Sequence, residues 1–441
     1  MPLNEILALS CIASFFVLLA LGIPVALTLA ISGFFFGWLG FGSLLFNLLP
    51  ARIYGVTANY TLIAIPLFVF MGMMLEKSRI ADELMEVIGH LSGGLRGGMG
   101  IGIVLVGVLM GATTGIVGAT IVTLGLLTLP TLLRRGYNKS IACGTICASG
   151  TLGQIIPPST LIILLADILG ESVGTLFAAA LLPGMMLAGI FCIYLLALGI
   201  FKPDLVPPIP AEERFAMSRQ ELLRKTFKVG LPPIALVLAV LGSIIGGIAA
   251  PTEAASMGAL GSIVVAAIAG RFNWKMLKET VYATGRITAS MMFILICAQV
   301  FALAFRGLQG EQLVHDFFKL VPGGIEGVLW FMMFLIFILG FFIEWIEISY
   351  IVVPLFLPVL QAANVDMVWV ATLIALNMQT SFLTPPFGWA LFYLRGVAPP
   401  QVTTMDIYKG VVPFIGLQVS AVVILFYTPS IATWLPRAIG W

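Results

Sequence analysis

The sequence predicts an all-α polytopic membrane protein built from two inverted-topology repeats, each with a re-entrant helical hairpin and a discontinuous helix. Three observations lead there. Of the 441 residues, 60% are hydrophobic and 10% charged, with mean hydropathy +1.11. A soluble domain carries about 25% charged residues, so water is the wrong solvent. Long charge-free runs recur along the chain at roughly the 20 residues a spanning helix needs. Finally, prolines repeat in register: Pro157 and Pro385 lie 228 apart, Pro130 and Pro358 also 228, and Pro24 and Pro251 227. Three pairs agreeing within one residue, at about half the chain length, mark an internal repeat.

The same composition excludes a secreted disulfide scaffold and most soluble enzymes. A net charge of +2 leaves no footprint for a polyanion such as nucleic acid. Cys11, Cys143, Cys147, Cys192 and Cys297 are scattered and read as small core residues. The first five residues lack a basic region, so no cleavable signal peptide is expected.

In chain order, repeat one is assigned to 1–201. Its scaffold helices occupy about 1–96. Residues 6–51 hold two helices broken near Gly22-Ile-Pro24, 53–75 one more, and 80–95 an interfacial amphipathic helix bracing the scaffold. Residues 97–133 have no charge. One helix of that length would be about 55 Å long, yet two full crossings need about 40 residues plus a turn. The centre, Gly111-Ala-Thr-Thr-Gly115-Ile-Val-Gly118, is small and flexible, so a hairpin of two short helices is expected there. A broken helix at 140–168 and a helix at 172–201 complete the repeat. A cytoplasmic linker, 202–228, with Pro207-Pro208 and mixed charge, joins it to repeat two at 229–441. Repeat two places scaffold helices at about 229–325, a hairpin at 326–360, a broken helix at 367–394 and a helix at 410–429.

Charge sets the orientation. Eighteen of the 22 Lys and Arg fall in 76–96, 134–139, 202–228, 271–286 and 395–409; Arg52, Arg306, Lys319 and Arg437 lie on the other side. The positive-inside rule puts the first group in the cytoplasm and both termini outside. Five crossings per repeat turn the second repeat upside down.

Inverted repeats with discontinuous helices point to a secondary transporter with its site at the midplane. A broken helix exposes carbonyls at one end and N–H groups at the other; carbonyls and hydroxyls suit a hard cation such as Na⁺, and N–H ends suit an anion. One cation site per repeat is expected between hairpin tip and break. The residues placed there are Thr113, Thr114, Gly115, Ser149, Thr151 and Gly153, and then Gly340, Glu344, Thr380, Ser381 and Thr384. Any one hydroxyl can equally back-bond to its own helix. Substrate contacts are assigned to Gln154, Pro157, Ser159, Glu347, Gln379 and Pro385. An ionisable group at membrane depth is costly and marks function. Glu344 and Glu347 can each ligate Na⁺, carry a proton or cap the helix that starts there. Glu253 is expected to cap a helix start, Asp167 to be interfacial, and His90 and His315 to be solvated. No nucleophile–base constellation, Walker A sequence or redox motif is present.

Leu62-Ile-Ala-Ile-Pro-Leu-Phe68, the tip 111–118, Ser149-Gly-Thr-Leu-Gly-Gln-Ile-Ile-Pro157-Pro158-Ser159, Pro251-Thr-Glu-Ala-Ala255 and Thr384-Pro-Pro-Phe-Gly388 occur in order over nearly the whole chain. Together they resemble the large membrane subunit of TRAP (tripartite ATP-independent periplasmic, DctM-like) transporters. The resemblance implies a Na⁺-driven elevator in the bacterial inner membrane and no cofactor beyond Na⁺ as coupling ion. It also implies a small four-helix membrane subunit and an extracytoplasmic binding protein that delivers an organic anion, usually a carboxylate or sulfonate. The chain departs from many relatives at Ala112-Thr113-Thr114, where they are Ser-rich, at Glu344, where they carry Asp, and in its second acid, Glu347. The competing readings are a stand-alone Na⁺-coupled di- or tricarboxylate-type transporter and a non-transporting membrane assembly subunit.

Overall fold

A computed structural model describes residues 2–92, 94–209, 219–386 and 388–441. Among them every regular element is a helix. Eight helices are long and apolar enough to cross a membrane, and two bent pairs raise the number to ten.

The first segment differs from expectation. Residues 6–51 hold parts of three helices, Leu3–Ala20, Val25–Phe41 and Leu44–Thr57. Gly22 and Gly42 take left-handed φ values of +82° and +57°, which a side chain resists, so the chain turns at both. The expected span 53–75 is a bent pair, Leu44–Thr57 and Thr61–Lys77, 52° apart. Asn59 holds the restart, its Oδ1 accepting from the Thr61 N–H at 2.9 Å. Ile80–Ser92 buries Ile80, Leu84, Met85 and Val87 along one face. His90, expected to be solvated, instead has a buried Nδ1 with no partner, because the helix turns that edge inward. His315 is exposed beside Asp316, as expected.

Pairs of helices joined by short breaks occupy the two segments where hairpins are expected. Gly98–Thr114 stops at Gly115 (φ +60°) and Val117–Arg134 starts two residues on. Gly324–Leu339 and Trp345–Ala362 flank residues 340–344. Arms of 16 to 18 residues are about 24–27 Å long, longer than the short arms expected. The internal prolines Pro130, Pro354 and Pro358 do not stop them.

Both discontinuous helices are present. Lys139–Thr151 runs into a 3₁₀ turn, Leu152–Gln154, and resumes as Thr160–Leu169. Met367–Leu383 stops and Trp389–Val397 resumes. Each gap holds a cis Pro-Pro bond, Pro157-Pro158 and Pro385-Pro386. The proline register extends to the caps. Asn138 Oδ1 accepts from Ser140 and Ile141 N–H at 3.0 and 3.3 Å, and Asp366 Oδ1 accepts from Val368 and Trp369 N–H at 3.0 and 3.3 Å. The two caps are 228 residues apart, and each satisfies two orphan donors of a first turn.

The remaining helices are Val173–Phe201, Leu231–Ile245, Pro251–Ile268, Trp274–Gly307, Gly310–Lys319, Thr404–Tyr427 and Ser430–Ala438. Glu253 caps its helix as expected, its Oε2 accepting from the Ala250 N–H at 2.9 Å. Of the linker 202–228, residues 210–218 lie outside the described residues; Arg219–Val229 is helical and packs on Ile80–Ser92.

Packing crosses between the halves. Val25–Phe41 lies on Trp274–Gly307, so close that a Cβ on Gly33 would be 2.8 Å from the Phe301 backbone. Pro251–Ile268 lies reciprocally on Ala64–Lys77. Lys139–Thr151 packs on Thr404–Tyr427, and Met367–Leu383 on Val173–Phe201. Small residues allow such backbone approach where lipid supplies no hydrophobic drive between helices.

Candidate functional site

The two hairpin ends meet the two breaks in the same manner. A Cβ added to Gly111 would run into Gly153, 2.7 Å from its nitrogen; one added to Gly340 would overlap Ser381 Oγ and lie 2.5 Å from its Cβ. Ser381 stands 228 residues after Gly153 and Gly340 229 after Gly111. Each first arm therefore rests its end on the broken helix that follows it. Across the gap, Thr160 Oγ1 donates to the Gly115 carbonyl at 3.5 Å.

The hydroxyls expected at these junctions divide into two groups. Thr113, Thr151, Ser381 and Thr384 donate to carbonyls of their own helices, Met110, Ala148, Met378 and Thr380, at 2.7–2.9 Å. Ser159 Oγ donates to the Gln154 carbonyl at 2.5 Å. The side chain of Thr114 lies outside the described residues. Ser149 Oγ and Thr380 Oγ1 are buried without a partner among the described residues, and so are Gln154 Oε1, Gln379 Oε1 and Nε2, and Glu347 Oε2. A buried polar group left unpaired costs about 1–3 kcal/mol, so groups of this kind beside both breaks are partnered by water or by a bound species. Gln418, from Thr404–Tyr427, joins the first junction: its Nε2 donates to Thr151 Oγ1 at 3.3 Å and its Oε1 is unpartnered. Nothing in the sequence marks it, because its neighbour is 267 residues away.

The two acids of the second hairpin part company. Glu344 is the N-cap residue of Trp345–Ala362, yet its side chain makes no cap hydrogen bond. Glu347, one turn on, is 2% exposed. Two carboxylates a turn apart at a helix N-terminus gain from its dipole and repel each other.

Both hairpin tips, both breaks and the long helix Trp274–Gly307 line one half-open cavity of about 300 Å³. Its walls include Gly115–Gly118 from the first tip, Glu344 and Trp345 from the second, and Gln154, Phe382 and Trp389 from the breaks. Gly115, Gln154 and Glu344 are the sequence-predicted residues that reach it; Ser159, Glu347, Gln379, Pro157 and Pro385 do not line it. Arg286 belongs to the basic segment 271–286, and the structure adds its surroundings: Trp274–Gly307 is continuous for 34 residues, and Arg286 sits 12 residues along it, about 18 Å from its start, on the cavity wall. It is exposed and makes no ion pair among the described residues.

Asp167, near the end of Thr160–Leu169, is half-buried, accepting from Asn59 Nδ2 on one oxygen and from Tyr350 Oη, at 3.1 Å, on the other. Asn59 and Tyr350 are 108 and 183 residues away, so no local pattern discloses the bridge.

Comparison with known proteins gives a consistent picture. A family model described as "Tripartite ATP-independent periplasmic transporter, DctM component" matches residues 12–431. The chain is 31% identical over 436 residues to the ectoine TRAP transporter large permease protein TeaC of Halomonas elongata, covering 96% of this chain and 97% of that one. It is 27% identical over 442 residues to the C4-dicarboxylate TRAP transporter large permease protein DctM of Vibrio cholerae, 95% of each. In fold it is similar to the crystal structure of the Alcanivorax borkumensis YdaH transporter, with TM-score 0.62 at 15% identity over 88% of this chain and 89% of that one.

Proposed function

The chain belongs to the tripartite ATP-independent periplasmic transporter family, as its DctM component, and from that premise we propose that it is the Na⁺-coupled, elevator-type membrane subunit that imports a small organic anion. The observation that carries the proposal is the single cavity made by both hairpin tips, both helix breaks and Arg286. Hairpin tips and helix breaks converging on one cavity support this reading, because a secondary transporter builds its midplane site from such elements.

On this reading the two halves are inverted repeats, supported by caps, breaks and hairpin contacts that recur 228–229 residues apart. Hairpins and broken helices form the moving body; the helices up to 96 and from 229 to 325 form its fixed support. One Na⁺ binds at each junction. At the first, the Gly115 carbonyl and the unpartnered Ser149 hydroxyl offer hard oxygen ligands. At the second, Thr380, Gln379 and Glu344 do so. Arg286 draws in the anion by charge-assisted hydrogen bonds. Filling the cation sites neutralises the orphan oxygens and seats the hairpin tips, so the loaded body can cross with its substrate enclosed. The relatives' printed substrates, ectoine and C4-dicarboxylates, differ, so the fold itself does not set the cargo. The partners proposed are a small membrane subunit and an extracytoplasmic binding protein.

The test is uptake into proteoliposomes holding both membrane subunits, with binding protein outside. Uptake is expected to follow the inward Na⁺ gradient and to stop when it is collapsed. Gradient-independent uptake would reject Na⁺ coupling; undiminished uptake without binding protein would favour a stand-alone transporter. Glu344→Gln is expected to raise the Na⁺ concentration needed for half-maximal uptake. If Na⁺ dependence and rate are both untouched, Glu344 serves only the helix end.

A further inference from the structure

The chemistry of the cavity wall is uneven. Among the described residues it offers one cation, Arg286, and one carboxylate, Glu344. Most of the remaining wall is apolar, and Trp345, Phe382, Trp389 and Tyr393 make much of it aromatic. Two of the lining residues carry a polar atom that is buried without a partner among the described residues: Gln154 Oε1, an acceptor, and Trp389 Nε1, a donor.

From this lining we infer that the cargo is a monocarboxylate with an aromatic or branched apolar body and one hydrogen-bond donor, a hydroxyl or an ammonium group, and is not a dicarboxylate. The inference rests on the transport function proposed above and narrows it. Arg286 can fork one carboxylate bidentately. A second carboxylate on the same ligand has no second cation on the wall: it would face Glu344, a like charge, or aromatic surface that cannot replace its water. The apolar faces recover binding free energy only from a ligand with an apolar body. Gln154 Oε1 can only accept, so it is satisfied by a ligand donor, and Trp389 Nε1 by a ligand oxygen. A site built to hydrogen-bond a ligand group rejects the analogue that lacks it.

The experiment measures ligand binding to the purified complex of large and small membrane subunits, by quenching of native tryptophan fluorescence and by thermal shift. The probes are phenyllactate, phenylalanine, 3-phenylpropionate, phenyllactamide and succinate. Phenyllactate or phenylalanine is expected to bind at least about tenfold more tightly than 3-phenylpropionate, which lacks the donor, and than succinate. Phenyllactamide, without the carboxylate, is expected to lose about as much. Gln154→Leu should remove the preference for phenyllactate over 3-phenylpropionate while 3-phenylpropionate still binds, and Glu344→Gln should narrow the gap to succinate. These are changes in selectivity that general loosening of the fold would not produce. Succinate binding as tightly as both phenyllactate and phenylalanine, or equal binding of all three phenyl acids, overturns the inference, as does the absence of any response to phenyllactate and phenylalanine at millimolar concentration. Na⁺-driven uptake of succinate alone by the complete system would overturn the ligand class and leave coupled transport standing. Selective phenyllactate binding with no Na⁺-driven uptake would do the reverse.

Discussion

Replacing Gly340 with alanine tests the contact that seats the second hairpin. The added Cβ would overlap Ser381 Oγ and sit 2.5 Å from Ser381 Cβ, where real contacts need about an ångström more. Ser381 Oγ is also held by its bond to the Met378 carbonyl at 2.7 Å, so it does not swing away freely. Overpacking of this kind costs about 1–3 kcal/mol. Ser381→Gly alone removes a helix-interior side chain and its bond, at about 1 kcal/mol. If the two effects were independent, the double variant would lose about 3 kcal/mol. Because Ser381→Gly deletes both atoms that Gly340→Ala strikes, the double variant is expected to lose about 1 kcal/mol. The coupling of about 2 kcal/mol lies within the range for residues in contact. Denaturant unfolding of the purified complex in one detergent, followed by tryptophan fluorescence, measures the cycle. Additive losses would refute the claim that the hairpin end rests on Ser381. The first hairpin supplies a control. Gly111→Ala meets the backbone of Gly153, which has no side chain to remove, so no substitution at 153 should rescue it.

Other expectations follow from single contacts. Asp167→Ala strips the acceptor from Asn59 and Tyr350 and is expected to cost about 1–3 kcal/mol in the same unfolding assay, with Tyr350→Phe costing less. Gly118→Val would drive a side chain into the Tyr393 ring, 2.7 Å from a Cβ at that position; substrate uptake should fall more steeply than stability, since both residues line the cavity. Exchanging Lys77 and Glu279, paired at 3.2 Å with side chains 28% and 50% exposed, should change unfolding by less than about 1 kcal/mol.

The solvent, the helical class and the repeat were legible from residues alone because each is a one-dimensional signal. Composition sets the medium. A proline ends or bends a helix through its own ring and missing N–H, so Pro157 and Pro385 disclose both breaks without any partner. Glycine at 22, 42 and 115 turns the chain by its own freedom, though only the structure shows that Gly42 separates an additional helix. The hairpin tips and the hydroxyls near them were likewise marked by local composition.

What the sequence could not determine was which of these groups face one another. Nothing in the basic segment 271–286 sets Arg286 apart until the 34-residue helix that carries it is laid beside the two hairpin tips. The partners of Asp167 are hidden until Asn59 and Tyr350 arrive from 108 and 183 residues away. Gln418 carries no signal until its helix packs on Lys139–Thr151. A helix break is a property of the residues in it, whereas a binding site is a property of distances between residues far apart in sequence. Those distances are set by helix packing, across the two halves at Gly33 and within each half at Gly111 and Gly340, where the absence of a side chain brings the segments together.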